Sequence, residues 1–63
     1  MGKVENFEKI REWIKNLKTN SFTSYQIEQE FNLHYNQVKP ILEGLQELGE
    51  LKYLNANKLY VKL

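Results

Sequence analysis

The side chains that usually carry out catalysis are scarce in this chain. It contains one histidine, His34, and no cysteine, which excludes thiol chemistry, disulfides and cysteine-bound zinc. Acid-base and nucleophilic catalysis need neighbouring groups with matched pKa values, and the sequence places no such partner set around His34. A glycine-rich phosphate-binding loop is also missing. We therefore expect no enzymatic activity, no cofactor and no metal site.

Polar residues suited to recognition follow His34 directly. The outward positions of a helix that begins there are Tyr35, Asn36, Gln37, Lys39 and Glu43. Asn36 and Gln37 each donate and accept hydrogen bonds, the combination that recognises adenine. Tyr35 and Lys39 suit phosphate groups. Two alternatives stay open: Asn36 is also a good helix N-cap, and His34 is either an exposed flanking residue or a phosphate contact.

A second polar group lies near the C-terminus. The segment Asn55-Ala56-Asn57-Lys58 separates two alternating apolar stretches and is the predicted tip of a hairpin. Its two asparagines could contact a DNA backbone or minor groove, but asparagine is equally favoured in tight turns. Both interpretations stay open for Asn55 and Asn57. We expect Lys52 and Lys58 to contact nucleic acid, since neither is needed for folding.

Two predicted helices and a turn would position the first polar group. Thr23 and Gln26 have the spacing of a capping box, which predicts a helix over about residues 24–31. Asn32 then accepts the left-handed conformation that a sharp reversal between helices needs. Followed by a second helix, these features form a helix-turn-helix pattern.

The second of these helices is predicted over about residues 35–48. Its apolar positions recur with a helical period and stop at Gly49, a natural C-terminal cap; they are Val38, Ile41, Leu42, Leu45 and Leu48. The effect of Pro40 on this helix depends on the residue at which the helix begins. If Asn36 is the cap, Pro40 is the fourth helical residue and does little harm, whereas a start near His34 would make it bend the helix.

An amphipathic helix is predicted over about residues 3–18. Its apolar face consists of Val4, Phe7, Ile10, Ile14 and Leu17. Trp13 lies beside this stripe, and we interpret it as a seal on the edge of the core, with a binding role as the alternative. The basic residues of this helix are interleaved with Glu5, Glu8 and Glu12, a pattern typical of helix-stabilising pairs on a solvated face.

Residues 51–63 alternate between the two faces of a strand, which predicts a β-hairpin. An isolated hairpin is unstable in water, so one face must pack on the helices. Phe22 is interpreted either as a third short strand or as an apolar residue that packs ahead of the following helix. Leu54 and Tyr60 are expected on the outer face of the hairpin, where they, or Trp13, are candidate sites of dimerisation.

A helix, a helix-turn-helix and a hairpin in this order are the layout of a winged helix, so the predicted fold is one α+β domain over residues 1–63. The segment from residue 23 to residue 49 also resembles the γ domain of FtsK/SpoIIIE-type DNA translocases, whose motif is roughly F-x-I-G-Y-N-R-A. The matching residues are Ser24, Gln26, Ile27, Phe31, Leu33, Tyr35, Asn36, Leu42, Glu43, Leu45 and Gly49. The resemblance implies a winged helix that binds DNA.

The chain departs from that motif at three positions. His34 stands where the family has glycine, Gln37 where it has arginine, and Pro40 at a further basic position. Because those basic residues help the family to read DNA, the resemblance does not imply a shared target sequence.

The charge balance constrains the partner. Nine basic and eight acidic residues give a formal net charge of +1, which is weak electrostatic support for nucleic acid. We nevertheless predict binding to double-stranded DNA, by a small transcription regulator or by the DNA-binding end of a replication or translocation protein. The alternative is a protein-interaction module, whose partner is another protein or a parent polypeptide. The lack of cysteine and of a long apolar run predicts a cytoplasmic protein without membrane or small-molecule partners.

Overall fold

The computed structural model of the chain describes the backbone of residues 2–63 and the side chains of residues 5–63. Three helices and three strands follow one another as α1 (Gly2–Lys15), β1 (Ser21–Phe22), α2 (Ser24–Phe31), α3 (Tyr35–Glu47), β2 (Leu51–Leu54) and β3 (Leu59–Lys62). The strands form one antiparallel sheet in the order β1-β3-β2. The predicted α+β class is confirmed, and the order of elements is compatible with the predicted topology. Of the helices in these residues, none is both long and apolar enough to cross a lipid bilayer.

One core serves all six elements. The buried apolar side chains of the described residues are Ile10, Ile14, Phe22, Ile27, Val38, Leu42, Leu45, Leu51 and Tyr60. Two further members of the predicted α1 stripe, Phe7 and Leu17, pack at the edge of this core. The side chain of Val4, also assigned to that stripe, lies outside the described residues. Every helix and strand therefore contributes at least one side chain to the same small core.

α1 ends at Lys15, about one turn earlier than predicted. Beyond it, the Leu17 N–H donates to the Ile14 carbonyl oxygen at 3.1 Å, a tight turn that closes the helix. The Leu17 carbonyl oxygen then accepts from the Lys62 ammonium at 2.8 Å, so the last strand holds the chain at this point. This contact joins residues 45 apart in sequence, and no local pattern could indicate it.

Trp13 lies at the edge of the core, as the sequence indicates. Its ring meets Phe22 edge-on with centroids 6.0 Å apart, and it meets Phe31 in the same way at 6.2 Å. Phe22 belongs to β1 and lies opposite Tyr60 of β3, where the two rings stack with centroids 5.7 Å apart. The prediction of a third short strand at Phe22 is confirmed.

α2 has the predicted bounds, and local chemistry explains both of its ends. At the start, the Thr23 N–H donates to Gln26 Oε1 at 2.8 Å, and the Gln26 N–H donates to Thr23 Oγ1 at 3.3 Å. The capping box is therefore complete. At the end, Asn32 adopts the left-handed conformation, with φ 54° and ψ 48°.

α3 ends in a Schellman motif around Gly49, which has a φ of 79°. The Gly49 N–H donates to the Gln46 carbonyl oxygen at 3.0 Å. The Glu50 N–H donates to the Leu45 carbonyl oxygen, also at 3.0 Å. The predicted cap at Gly49 is thus confirmed. Leu48, the last apolar position of the predicted period, is 59% exposed, because it follows the last helical residue, where the chain turns away.

The faces of the hairpin agree with the prediction for β2, where Leu54 lies outside, and disagree with it for β3. Tyr60, expected outside with Leu54, is only 7% exposed. Its cross-strand neighbours explain this: it lies opposite Phe22 of β1, which is 1% exposed, and residues opposite each other share a face of the sheet. Tyr53 of β2 lies opposite Tyr60 on its other side and shares the inner face. The outer face carries the alternate residues Lys52, Leu54, Leu59 and Val61.

A half-exposed ion pair joins α1 to the link between α3 and β2. The Arg11 guanidinium donates through Nε to Glu50 Oε1 at 3.0 Å and through Nη2 to Glu50 Oε2. This fork-shaped contact fixes the direction of both side chains. Because both remain partly solvated, we assign it a role in positioning the link rather than a large stabilisation.

Tyr60 leads to a prediction for alkaline pH. Burial raises the pKa of Tyr60 above its ordinary value, and nearby charges add to the shift. A folded-state pKa above the unfolded value of about 10 means that stability is intact below that pH and falls as the pH rises through the folded value. Tyr60→Phe removes this titration. The variant should therefore lose less stability than the wild type between about pH 9 and about pH 11, measured as urea midpoints.

Tyr25→Phe is the matched control, since Tyr25 is 64% exposed on α2. This variant should lose as much stability at alkaline pH as the wild type. At neutral pH, Tyr60→Phe should differ from the wild type by less than about 1 kcal/mol in the free energy of unfolding. Equal alkaline losses in all three proteins would contradict a buried, titrating Tyr60.

Candidate nucleic-acid interface

His34 caps the N-terminus of α3. The ring nitrogen Nδ1 of His34 accepts from the backbone N–H of Asn36 at 3.2 Å. The backbone N–H of His34 donates to Gln37 Oε1 at 3.0 Å. These bonds satisfy donors that the ends of helices otherwise leave without partners. The alternative of Asn36 as the cap is therefore wrong, and His34 takes the flanking position. The signal was present in the sequence, because His34-x-x-Gln37 repeats the spacing of Thr23-x-x-Gln26.

The His34 cap engages the side chain of Gln37 but not the side chain of Asn36. The side-chain oxygen of Gln37 accepts from the His34 N–H, which fixes this amide in the cap and restricts the direction from which a partner can reach it. The side chain of Asn36 is exposed and takes no part in the cap. Asn36 therefore keeps both a donor and an acceptor available.

Pro40 is the sixth residue of α3 rather than the fourth, and the helix continues through it to Glu47. Proline has no N–H to donate to the carbonyl four residues earlier, which here belongs to Asn36. One backbone acceptor in the first turn therefore lacks its usual helical donor.

One face of α3 points away from the core along its length. The buried stripe consists of Val38, Leu42 and Leu45. At about 100° per residue, the opposite face carries four exposed residues, Asn36, Pro40, Glu43 and Glu47. We call these four residues the outer ridge of α3. Its first turn presents an uncharged amide, whereas its second half presents two carboxylates.

The hairpin lies along one side of α3. After the larger effect of burial, the charges of Tyr35 and Glu43 help to raise the pKa of Tyr60, together with that of Tyr53. α3 also packs directly against β2 of the hairpin. Tyr35 is 43% exposed, and Lys39, one turn further on, is exposed as well. Both predicted phosphate contacts lie between the outer ridge and the hairpin.

The start of α1 lies along the other side of α3. A Cβ added at Gly44 would be 3.4 Å from a ring carbon of Phe7, so the two helices approach closely there. Towards the start of α3 they are separated by a groove of about 410 Å³. Its lining residues are Asn6, Phe7, Asn36, Gln37, Pro40 and Ile41. Asn36 thus belongs both to the outer ridge and to the rim of this groove.

The hairpin tip is a four-residue turn in which every residue is exposed: Asn55, Ala56, Asn57 and Lys58. Lys58 has a φ of 54°, in the left-handed region, whereas neither asparagine does. The left-handed position of the turn is therefore filled by Lys58 and not by Asn55 or Asn57, although asparagine adopts this conformation more readily than lysine. Their side chains stay candidates for a contact.

Lys52 is separated from the polar residues of α3. It lies opposite Val61 on the outer face of the sheet, whereas Tyr53 and Tyr60 lie on the inner face. The predicted residues fall into three places. The start of α3 carries Tyr35, Asn36, Gln37 and Lys39; the hairpin tip carries Asn55, Asn57 and Lys58; and the outer sheet face carries Lys52.

The lysines of these surfaces have no carboxylate partner in the described part of the chain. Within residues 5–63, the ion pairs are Lys9 Nζ with Glu5 Oε1, at 3.0 Å, and Arg11 with Glu50. The first of these is the helix-stabilising kind expected for α1. Lys39, Lys52 and Lys58 therefore present positive charge that is not engaged in an ion pair with a described carboxylate.

Metal binding finds no support in the described residues. Between residues 5 and 63, no three His, Cys, Asp or Glu side chains come together. Nδ1 of His34 is engaged as the cap acceptor.

Comparison with known proteins identifies no relative. The chain matches no protein-family model, no curated protein and no solved structure. The resemblance of residues 23–49 to the translocase domain stays a prediction. The proposed function therefore depends on the geometry of the start of α3 and the hairpin tip.

Removing the cap should loosen the start of α3. His34→Ala lacks the Nδ1 acceptor, and we expect it to lower the free energy of unfolding by about 0.5–1 kcal/mol. His34→Asn is the matched control, because it keeps a side-chain acceptor at the cap and should equal or exceed the wild type. Urea unfolding followed by circular dichroism measures both. Wild-type stability in His34→Ala would mean that the cap contributes nothing.

Proposed function

We propose that this chain is a winged-helix domain that binds double-stranded DNA. In this proposal α3 is the recognition helix, and the hairpin of β2 and β3 is the wing. The observation that carries it is the exposed polar first turn of α3, which the His34 capping box orders and the buried Val38 anchors. A helix end of this kind can enter a major groove without rearrangement.

Asn36 is the proposed base contact. Its exposed amide lies on the outer ridge and can donate to and accept from the edge of adenine. Gln37 is less suited to base recognition, because its side-chain oxygen already accepts from the backbone N–H of His34. The two residues look equivalent in the sequence, and the cap distinguishes them.

Tyr35, Lys39 and Lys58 are the proposed phosphate contacts. All three are exposed, and the two lysines have no carboxylate partner within residues 5–63. A lysine that neutralises one phosphate releases counterions and adds about 0.9 to the steepness with which affinity falls with salt. Asn55 and Asn57 are proposed wing contacts. Lys52 joins them only if the duplex extends past the outer face of the sheet.

Two settings suit such a domain: a small transcription regulator, or the DNA-binding end of a replication or translocation protein in the cytoplasm. The resemblance of residues 23–49 to the γ domain of DNA translocases supports the second setting. In either setting, the two basic positions that this chain lacks relative to that domain, at Gln37 and Pro40, imply a different target sequence.

A protein-interaction module is the second candidate, and the outer ridge favours it. Glu43 and Glu47 present two carboxylates on the face that would meet DNA, where phosphates would repel them. Pro40 adds an exposed apolar ring to the same face. With a formal net charge of only +1, long-range attraction to DNA is weak. The ridge would then bind a basic surface of another protein or of a parent polypeptide.

Single lysine variants test the DNA proposal. Lys39→Ala and Lys58→Ala should each weaken binding to duplex DNA and lower the steepness of the salt dependence by about 1, because each removes a phosphate contact. Fluorescence anisotropy of a labelled duplex at several salt concentrations measures both quantities. Unchanged binding in both variants would remove these lysines from the site, and no duplex binding at low salt would favour the protein-interaction module.

Two controls separate charge from folding. Lys18→Ala removes an exposed lysine from the loop after α1, away from the proposed surface, and should leave the salt dependence unchanged. Lys58→Gly removes the same charge as Lys58→Ala but relieves the left-handed backbone, which costs a side-chain-bearing residue roughly 1 kcal/mol. Lys58→Gly should therefore bind duplex DNA as weakly as Lys58→Ala. Its free energy of unfolding should be at least as large as that of Lys58→Ala.

A further inference from the structure

A groove between α1 and α2 is not used by the proposed DNA-binding surface. It has a volume of about 360 Å³ and is lined by Trp13, Tyr25, Gln26, Gln29 and Glu30. We call these five residues the aromatic groove. It shares no residue with α3 or the hairpin, so a ligand can occupy it whether or not the domain binds DNA.

The aromatic wall of this groove combines a fixed ring with an accessible one. Trp13 is half-buried, and two edge-on contacts hold its ring: one to Phe22 at 6.0 Å and one to Phe31 at 6.2 Å. Tyr25, the second residue of α2, is 64% exposed. A large aromatic side chain exposed to this degree beside a fixed indole provides π surface that folding itself does not use.

The polar side of the groove is negative. Glu30 is exposed, and it has no cationic partner within residues 5–63. The oxygen of Gln26 is engaged by the Thr23 N–H at 2.8 Å, so this residue contributes a neutral amide edge. No lysine or arginine lines the groove. A carboxylate beside aromatic rings, with no internal cation, disfavours phosphate and favours a positively charged side chain.

Among cationic groups, a guanidinium fits this surface best. Its plane can stack on an aromatic ring while its N–H fork points towards a carboxylate in the same plane. An ammonium matches only the negative charge of the groove, since it is a compact point charge with no planar face to stack on an aromatic ring. The pairing of two aromatic side chains with one carboxylate therefore matches the two recognition modes of arginine.

We propose that the aromatic groove binds an arginine side chain of a partner protein. Trp13 and Tyr25 would supply the stacking surface, and Glu30 the counter-charge. The domain would then have two separate surfaces, and the partner bound between α1 and α2 would leave the start of α3 free.

The chain provides its own reporter, because Trp13 is its only tryptophan. A capped peptide of alternating glycine and arginine is titrated into the full chain while Trp13 fluorescence and backbone amide shifts are recorded. The arginine peptide should give a saturable response centred on Trp13 and Tyr25. A peptide with lysine in place of arginine should bind more weakly, and one with glutamate should not bind. No saturable response to the arginine peptide, or equal responses to arginine and lysine, overturns the proposal.

Variants assign the contacts. Tyr25→Ala and Glu30→Gln should each weaken the arginine peptide roughly two- to fivefold, as expected for a cation over an exposed ring or beside an exposed carboxylate. Tyr25→Phe keeps the ring and should bind normally. Glu8→Gln on α1 makes the same charge change outside both the aromatic groove and the outer ridge, and it should have no effect. An equal loss in Glu8→Gln would mean attraction to net charge alone, which overturns the site.

A second copy of the chain is the competing occupant, since α1 carries several basic residues. Sedimentation of the protein without peptide distinguishes this case. A monomer at the concentrations used for titration supports a foreign partner. Concentration-dependent association that Tyr25→Ala abolishes would overturn the proposal in favour of self-association.

Discussion

The stacked pair of Phe22 and Tyr60 determines how the sheet meets the helices. Their ring centroids are 5.7 Å apart, and both side chains are buried. Because side chains alternate along a strand, burying these two rings puts Tyr53 on the inner face and Lys52 on the outer face. The same pair supports Trp13, whose ring meets Phe22 edge-on. A chain of 63 residues has only one core to bury, so the placement of the hairpin and the stability of the domain are inseparable.

With the hairpin beside it, α3 has one anchored face and one open face. The buried stripe attaches the helix to the core, and the His34 cap completes its first turn without help from the rest of the chain. Asn36 is therefore not needed for folding at this position. A helix start that is already ordered loses little conformational entropy when a partner binds, which favours it as a recognition element. The carboxylates further along the ridge, at Glu43 and Glu47, limit which partners can lie along its whole length.

Features governed by neighbouring residues could be predicted from the sequence. The capping residues of α2, the left-handed Asn32 and the cap at Gly49 follow from short-range chemistry, and all are present. The buried face of β3 was predicted wrongly, because alternation along a strand shows two faces without showing which one is buried. That choice depended on Tyr60 lying opposite Phe22. The cap at His34 was missed because histidine is an unusual capping residue, although its spacing to the next glutamine matches a capping box.

The most direct test of the proposed DNA-binding surface is a titration of isotopically labelled protein with duplex DNA at low salt, followed by amide chemical shifts. If the first turn of α3 and the hairpin tip meet the duplex, the largest shifts occur at residues 34–39 and 55–58. They should disappear as salt is added, because binding through phosphates releases counterions. Shifts confined to α1, or no shifts at any salt concentration, would contradict DNA binding by this surface.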